Sequence, residues 1–107
     1  MAHYLVSARP RDRLLGDLLA DLRKNAYASL RPFGRTLTYS LRNARLREDG
    51  QATWEEEDYC SPPLAQERAA VLDQFFDELN VTSVQEGAGW KKIEKLPRLF
   101  PELADKD

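Results

Sequence analysis

The segment Glu56-Glu57-Asp58-Tyr59-Cys60-Ser61-Pro62-Pro63-Leu64-Ala65-Gln66-Glu67-Arg68 gathers more reactive side chains than any other part of the chain. Glu56 and Asp58 alternate, so on an extended strand they share one face. A carboxyl held on an apolar face is driven towards its neutral form, and such a group can act as an acid or base near neutral pH. Tyr59 and Cys60 follow directly, and Arg68 lies beyond the proline pair. Ser61-Pro62-Pro63 marks a strand end that runs into a helix start, where free backbone N–H groups can hold an anion. With two arginines of the preceding segment, the candidate ligand site comprises Arg42, Arg45, Glu56, Asp58, Tyr59, Cys60 and Arg68.

Other chemistries find less support. His3 is the only histidine and Cys60 the only cysteine, far apart in the chain. They give no ligand spacing of the zinc kind, and a single cysteine rules out an intrachain disulfide. An oxygen-only site from Glu55, Glu56, Glu57 and Asp58 lacks the Asp/Gly pattern of a calcium loop. No metal, no cofactor and no catalytic residue is therefore assigned. A Cys60–His3 dyad needs the first and third strands side by side, and a lone cysteine is more often a small core residue than a nucleophile. Gly87-Ala88-Gly89 lacks the third glycine and the Lys-Ser/Thr of phosphate-binding loops. Trp54 and Tyr59 could stack bases, but four consecutive acids separate them and alternation sends the rings to opposite faces. Nucleic acid is not an expected partner.

The elements that position these residues follow from periodicity. His3 to Arg9 reads as a central strand bounded by Pro10. Pro10 opens a helix whose stripe is Leu14, Leu15, Leu18, Leu19 and Leu22, with Pro32 and Gly34 ending the helical region. Thr36 to Glu48 reads as a long strand with Leu37, Tyr39 and Leu41 on one face; a bulge near Arg42–Asn43 absorbs the phase change to Ala44 and Leu46. Asp49-Gly50 signals a type I′ hairpin turn into a return strand, Ala52 to Cys60. A second helix is predicted over Leu64 to Leu79, then a short strand over Val81 to Glu86. This rhythm is the β-α-β-β-α-β plan of ferredoxin-like domains. The expected fold is an α+β, ferredoxin-like two-layer sandwich over residues 1–86 with a four-stranded antiparallel sheet. Residues 87–107 form a Gly/Pro-punctuated C-terminal extension packing on it.

In a simple register closing on Asp49-Gly50, Arg42 faces Glu57, Arg45 faces Trp54, Leu41 faces Asp58 and Tyr39 faces Cys60. The basic strand is then neutralised by the acidic one. Glu56 and Asp58 fall on the apolar face with Trp54, where an unpaired carboxylate costs several kcal/mol or takes up a proton. A bulge that turned them outward would remove the conflict.

Residues 1–47 carry ten Arg or Lys against three acids, and residues 48–107 carry six against fifteen. In one compact domain such halves lie side by side and pair. No apolar run approaches the ~20 residues of a membrane span, and the N-terminus lacks the apolar core of a signal peptide. A cytoplasmic protein is expected. The functional expectation is a small binding or regulatory module rather than an enzyme, acting through protein contacts or a small anionic ligand. The alternatives are a cofactor-independent enzyme using Glu56 or Asp58 near Tyr59 and Cys60, and a weak single-stranded nucleic-acid binder. Trp90, Leu99, Phe100 and Leu103 are the candidate contacts for a protein partner, a second copy of the chain included.

Overall fold

Four strands, β1 (Ala2–Pro10), β2 (Arg45–Leu46), β3 (Ala52–Asp58) and β4 (Phe76–Val84), form one antiparallel open sheet of order β2-β3-β1-β4. The computed structural model describes residues 2–104; residues 105–107 of the predicted extension lie outside the described residues, as does Met1. β1 is central because both its faces are apolar enough to be covered. Val6 and Ala8 are fully buried, opposite Trp54 and Ala52 of β3. Among the described residues, no helix is long and apolar enough to cross a membrane.

Three helical segments supply the rest of the core. α1 (Leu15–Arg23) buries Leu18 and Leu22, and α2 (Gly34–Arg42) buries Leu37 and Leu41. α3 spans 65–75 in three stretches, Ala65–Glu67, a π-helical Arg68–Leu72 and Asp73–Phe75, and buries Val71, Leu72 and Phe75. Trp54 sits among them, its ring 5.2 Å from that of Phe76. A fourth helix, α4 (Ala88–Ile93), lies against β3 and β1. Its start is fixed by Glu55, whose carboxylate accepts the amides of Gly87, Gly89 and Trp90 at 2.8, 2.7 and 3.1 Å.

The long strand predicted over Thr36 to Glu48 is not formed. That segment is α2, followed by the two-residue β2. Leu37, Leu41 and Ala44 stand at i, i+4 and i+7, one side of a helix, and all three are fully buried, whereas Tyr39 is 55% exposed. The phase change assigned to a bulge is where the helix ends. β2 pairs only Leu46 with Ala52 and Arg45 with Thr53. Beyond them α2 takes over the edge of β3, where Ser40 Oγ donates to the Glu55 carbonyl at 2.8 Å.

The hairpin register is also off by one residue. Arg47 N–H donates to Gln51 O and Gly50 N–H to Arg47 O, so the loop has three residues with Gly50 left-handed at φ 86°. This is a type I turn closed by a left-handed glycine rather than a type I′ turn. Arg45 therefore faces Thr53, not Trp54, and Arg42, at the end of a helix, does not face Glu57.

Two further boundaries move. The second helix stops at Phe75 instead of Leu79, and the last strand starts at Phe76, so Phe76 enters the core from a strand. α1 stops at Arg23; the next ten residues are turns, anchored where the Tyr27 hydroxyl donates to Asp21 at 2.6 Å. Gly34 passes so close to this loop that a Cβ there would overlap the Tyr27 carbonyl oxygen.

The C-terminal segment folds back on its own domain. Leu46 N–H donates to Pro97 O and Leu99 N–H to Ala44 O, which covers the outer edge of β2. Phe100 and Leu103 are buried in the main core, with Trp90 and Leu99 packed against it. The basic and acidic halves meet in the ion pairs Arg9–Glu78 at 3.3 Å and Arg11–Asp77 at 2.8 Å.

Candidate functional site

β3 alternates, and its helix-facing side carries Trp54, then Glu56, then Asp58. No bulge turns the two acids outward. Glu56 is 1% exposed and Asp58 5%. The chain then leaves the sheet through Tyr59 and Cys60 and enters α3, whose first turn carries Glu67, fully buried. Three carboxyl groups thus meet under the helices at one end of the sheet.

Each is held differently. Glu56 Oε1 accepts the Trp54 indole N–H at 2.9 Å, while Oε2 has no partner. Burial pushes its pKa up to about 8; the Trp54 hydrogen bond opposes that, and the charges of Glu67 and Asp58 add to it. Asp58 is the anchored member. Burial works to raise its pKa, but the Leu64 amide, the Glu67 carboxyl and the Cys60 and Tyr59 amides outweigh it and hold Asp58 below the usual carboxylate range. Its Oδ2 accepts from Leu64 N–H at 2.6 Å and Cys60 N–H at 3.1 Å. Leu64 adopts a left-handed conformation, φ 64°, which puts its amide there.

Among the described residues neither oxygen of Glu67 accepts a well-formed hydrogen bond, and its side chain lies against the Asp58 carboxyl. Burial, then a side-chain hydrogen bond with Asp58, pushes its pKa up to about 7 against the pull of its own backbone amide, so a proton shared between Glu67 and Asp58 relieves the pair. Cys60 is a free, half-buried thiol. The Gln66 amide works to lower its pKa, but burial and the charges of Asp58 and Glu67 together raise it. A thiol so placed is not an activated nucleophile.

One carboxylate oxygen each from Asp58 and Glu67 and the Cys60 sulfur all lie within 4.8 Å of one another. They line a pocket of ≈ 460 Å³ whose other walls include Pro32, Phe33 and Tyr59. Glu57 is a third acid in its lining, and among the described residues no Arg or Lys lines it. Glu56 lies behind this wall and does not line it.

The structure brings together Asp58, Tyr59 and Cys60, with Glu56 behind them. It does not bring the arginines. Arg42 donates to the Leu22 carbonyl, Arg45 to the Glu94 and Leu96 carbonyls, and Arg68, exposed, pairs with Asp73 at 3.1 Å. All three hold this chain's own groups. Trp90, Leu99, Phe100 and Leu103 pack on their own domain.

His3 stands on the other face of β1, 3.5 Å from Glu55, 3.6 Å from Glu57 and 3.9 Å from Glu86. It lines a separate pocket of ≈ 440 Å³ with Tyr39 and Trp90, whose rings meet edge to face, and forms no pair with Cys60.

Sequence reasoning missed Glu67, Pro32 and Phe33. For Glu67 a signal existed. It lies three residues after Leu64 and four before Val71, on the buried stripe of the helix. Leu64, Arg68, Val71 and Leu72 also keep helical spacing, but Arg68, where the π-helical stretch begins, is exposed. No protein-family model matches the chain, and neither a curated protein nor a solved structure matches it significantly.

Proposed function

We propose that this chain is a small ligand-binding module whose site is the acid-lined pocket at the end of β3, and that its ligand is a cation or carries a cationic head. The observation behind this reading is Glu67. Its two oxygens are buried and, among the described residues, accept no well-formed hydrogen bond; they stand against another acid, Asp58, in the wall of the same pocket. Leaving a buried charged acceptor unmade is costly, so a site built this way favours whatever supplies positive charge or donors. A small anion, the ligand class expected from the arginines, is disfavoured because those arginines point elsewhere and the pocket lining is acidic. Acid–base chemistry on Glu56 is disfavoured because Glu56 is sealed from the pocket.

The framework fits a ferredoxin-like plan in which α2 takes the place of most of the second strand. A free thiol as the only cysteine fits a reducing, cytoplasmic setting.

The test is thermal unfolding with a panel of amines, guanidinium compounds, divalent cations and phosphorylated metabolites. A ligand at a hundred times its Kd adds about 2.7 kcal/mol, several degrees for a domain of this size. Cationic members should raise Tm, and Glu67→Gln should abolish the shift while leaving the fold intact. A shift confined to the anionic members would overturn the reading.

A further inference from the structure

We propose that Asp58, Cys60 and Glu67 form a three-ligand site for a divalent transition-metal ion of the zinc class, with its fourth position open to the pocket walled by Phe33 and Tyr59. This deepens the cation reading above and rests on it.

Two carboxylate oxygens and one sulfur lie within 4.8 Å of one another. Ligand atoms around a tetrahedral zinc-type ion stand about 3.5 Å apart, so small side-chain rotations close the site. Thiolate beside carboxylate selects borderline ions over magnesium and calcium, which take oxygen donors.

The members are already oriented. Metal-ligating carboxylates are held by outer hydrogen bonds that fix the free oxygen. Asp58 Oδ2 accepts the Leu64 and Cys60 amides, which fixes the orientation of its carboxylate beside Cys60 and Glu67. The same turn that donates the Cys60 amide carries the Cys60 sulfur.

Glu67 is 0% exposed, neither of its oxygens accepts a well-formed hydrogen bond among the described residues, and one of them lies within 4.8 Å of a ligand atom of Asp58 and of Cys60, so a bound cation would offset the charge gathered there. No His is needed, which is why a search for His/Cys spacing passed over the site. The ligands come from a strand end, a loop and a helix start.

Co²⁺ is the probe. The reduced full chain, freed of metal with chelator and desalted, is titrated with Co²⁺ alone. One equivalent should give sulfur-to-cobalt charge-transfer absorption in the near ultraviolet and visible d–d bands of a low-coordinate site. Cys60→Ser should lose the charge-transfer band, and Glu67→Gln should weaken binding by at least about tenfold. Circular dichroism checks that both variants fold, and Mg²⁺ and Ca²⁺ should fail to compete. No spectral change at stoichiometric Co²⁺ would overturn the metal site, leaving the Asp58–Glu67 pair bridged by a proton. A signal indifferent to both substitutions but lost in His3→Ala would overturn it too, by placing the ion among the glutamates around His3. If Co²⁺ fails while an organic amine still stabilises the protein through Glu67, the metal site falls and the cation-binding reading stands. If both fail, both fall.

Discussion

Replacing Glu56 by Gln should change how stability responds to pH. Glu56 is 1% exposed, and its pKa rises from the ordinary 4.5 to about 8. Because the folded value lies above the unfolded one, the neutral carboxyl costs nothing below pH ~4.5. As pH rises from there to about 8, the unfolded chain gives up a proton that the folded chain keeps, and stability falls. One proton held in this way is worth about 1.4 kcal/mol per pH unit, so the loss between pH 5 and 7 is about 3 kcal/mol. Gln keeps an oxygen for the Trp54 indole and has nothing to titrate. Urea unfolding of both proteins at pH 5, 6, 7 and 8, with chelator present, gives the difference directly, since Asp58 and Glu67 are common to both. The variant should gain on the parent steadily across the range and level off above pH 8. A pH-independent difference would refute the reasoning, for it would mean that Glu56 ionises in the fold or reaches water.

Two further substitutions test the elements around the site. Leu37→Ala should cost about 2–5 kcal/mol of unfolding free energy, as a fully buried leucine does, whereas Tyr39→Ala should cost about 1 kcal/mol through its edge contact with Trp90. Equal, large losses at both positions in chemical denaturation would restore the strand in place of α2. Gly34→Ala places a methyl against the Tyr27 carbonyl, backbone that cannot turn aside, and should destabilise by about 1–3 kcal/mol; a neutral or stabilising result in the same assay would show that the 24–33 loop is not held as described.

How much of the fold was legible depends on how many elements a residue pattern admits. The first strand ends at Pro10, one residue beyond the stretch its alternation marks, and the first helix carried five apolar positions on one stripe. Thr36 to Leu46 carried two patterns at once. Leu37, Tyr39 and Leu41 alternate, while Leu37, Leu41 and Ala44 keep helical spacing. The β-branched threonines and the tyrosine favour a strand locally, but burial decides, and only the helix lets Tyr39 face water while Leu37 and Leu41 meet the core. The charge division was legible as far as its sign. Which groups paired was not, because Arg42 and Arg45 found backbone carbonyls instead of acids, a choice set by the path of residues 94–96.

The site was half legible for a related reason. Alternation alone puts Glu56 and Asp58 beside Trp54, and the off-by-one error in the hairpin left this intact, because it depends only on β3's own period. Glu67 was hidden because its role depends on a seam between elements. Glu67 is buried with Leu64 and Val71, while Arg68, the next residue and the first of the π-helical stretch, is exposed. A buried acid at that seam is unfavourable for stability alone, and Leu64, fixed left-handed so that its amide meets Asp58, adds local strain. Two costs fall within a few residues of one another, both aimed at the same carboxylate. A fold selected only for stability would place an apolar side chain at position 67 and pack it in the core with Val71 and Leu72. Glu67→Met is therefore predicted to stabilise the metal-free protein while abolishing Co²⁺ binding. Loss of stability in urea without any Co²⁺ site in the parent protein would instead make Glu67 a structural partner of Asp58 and nothing more.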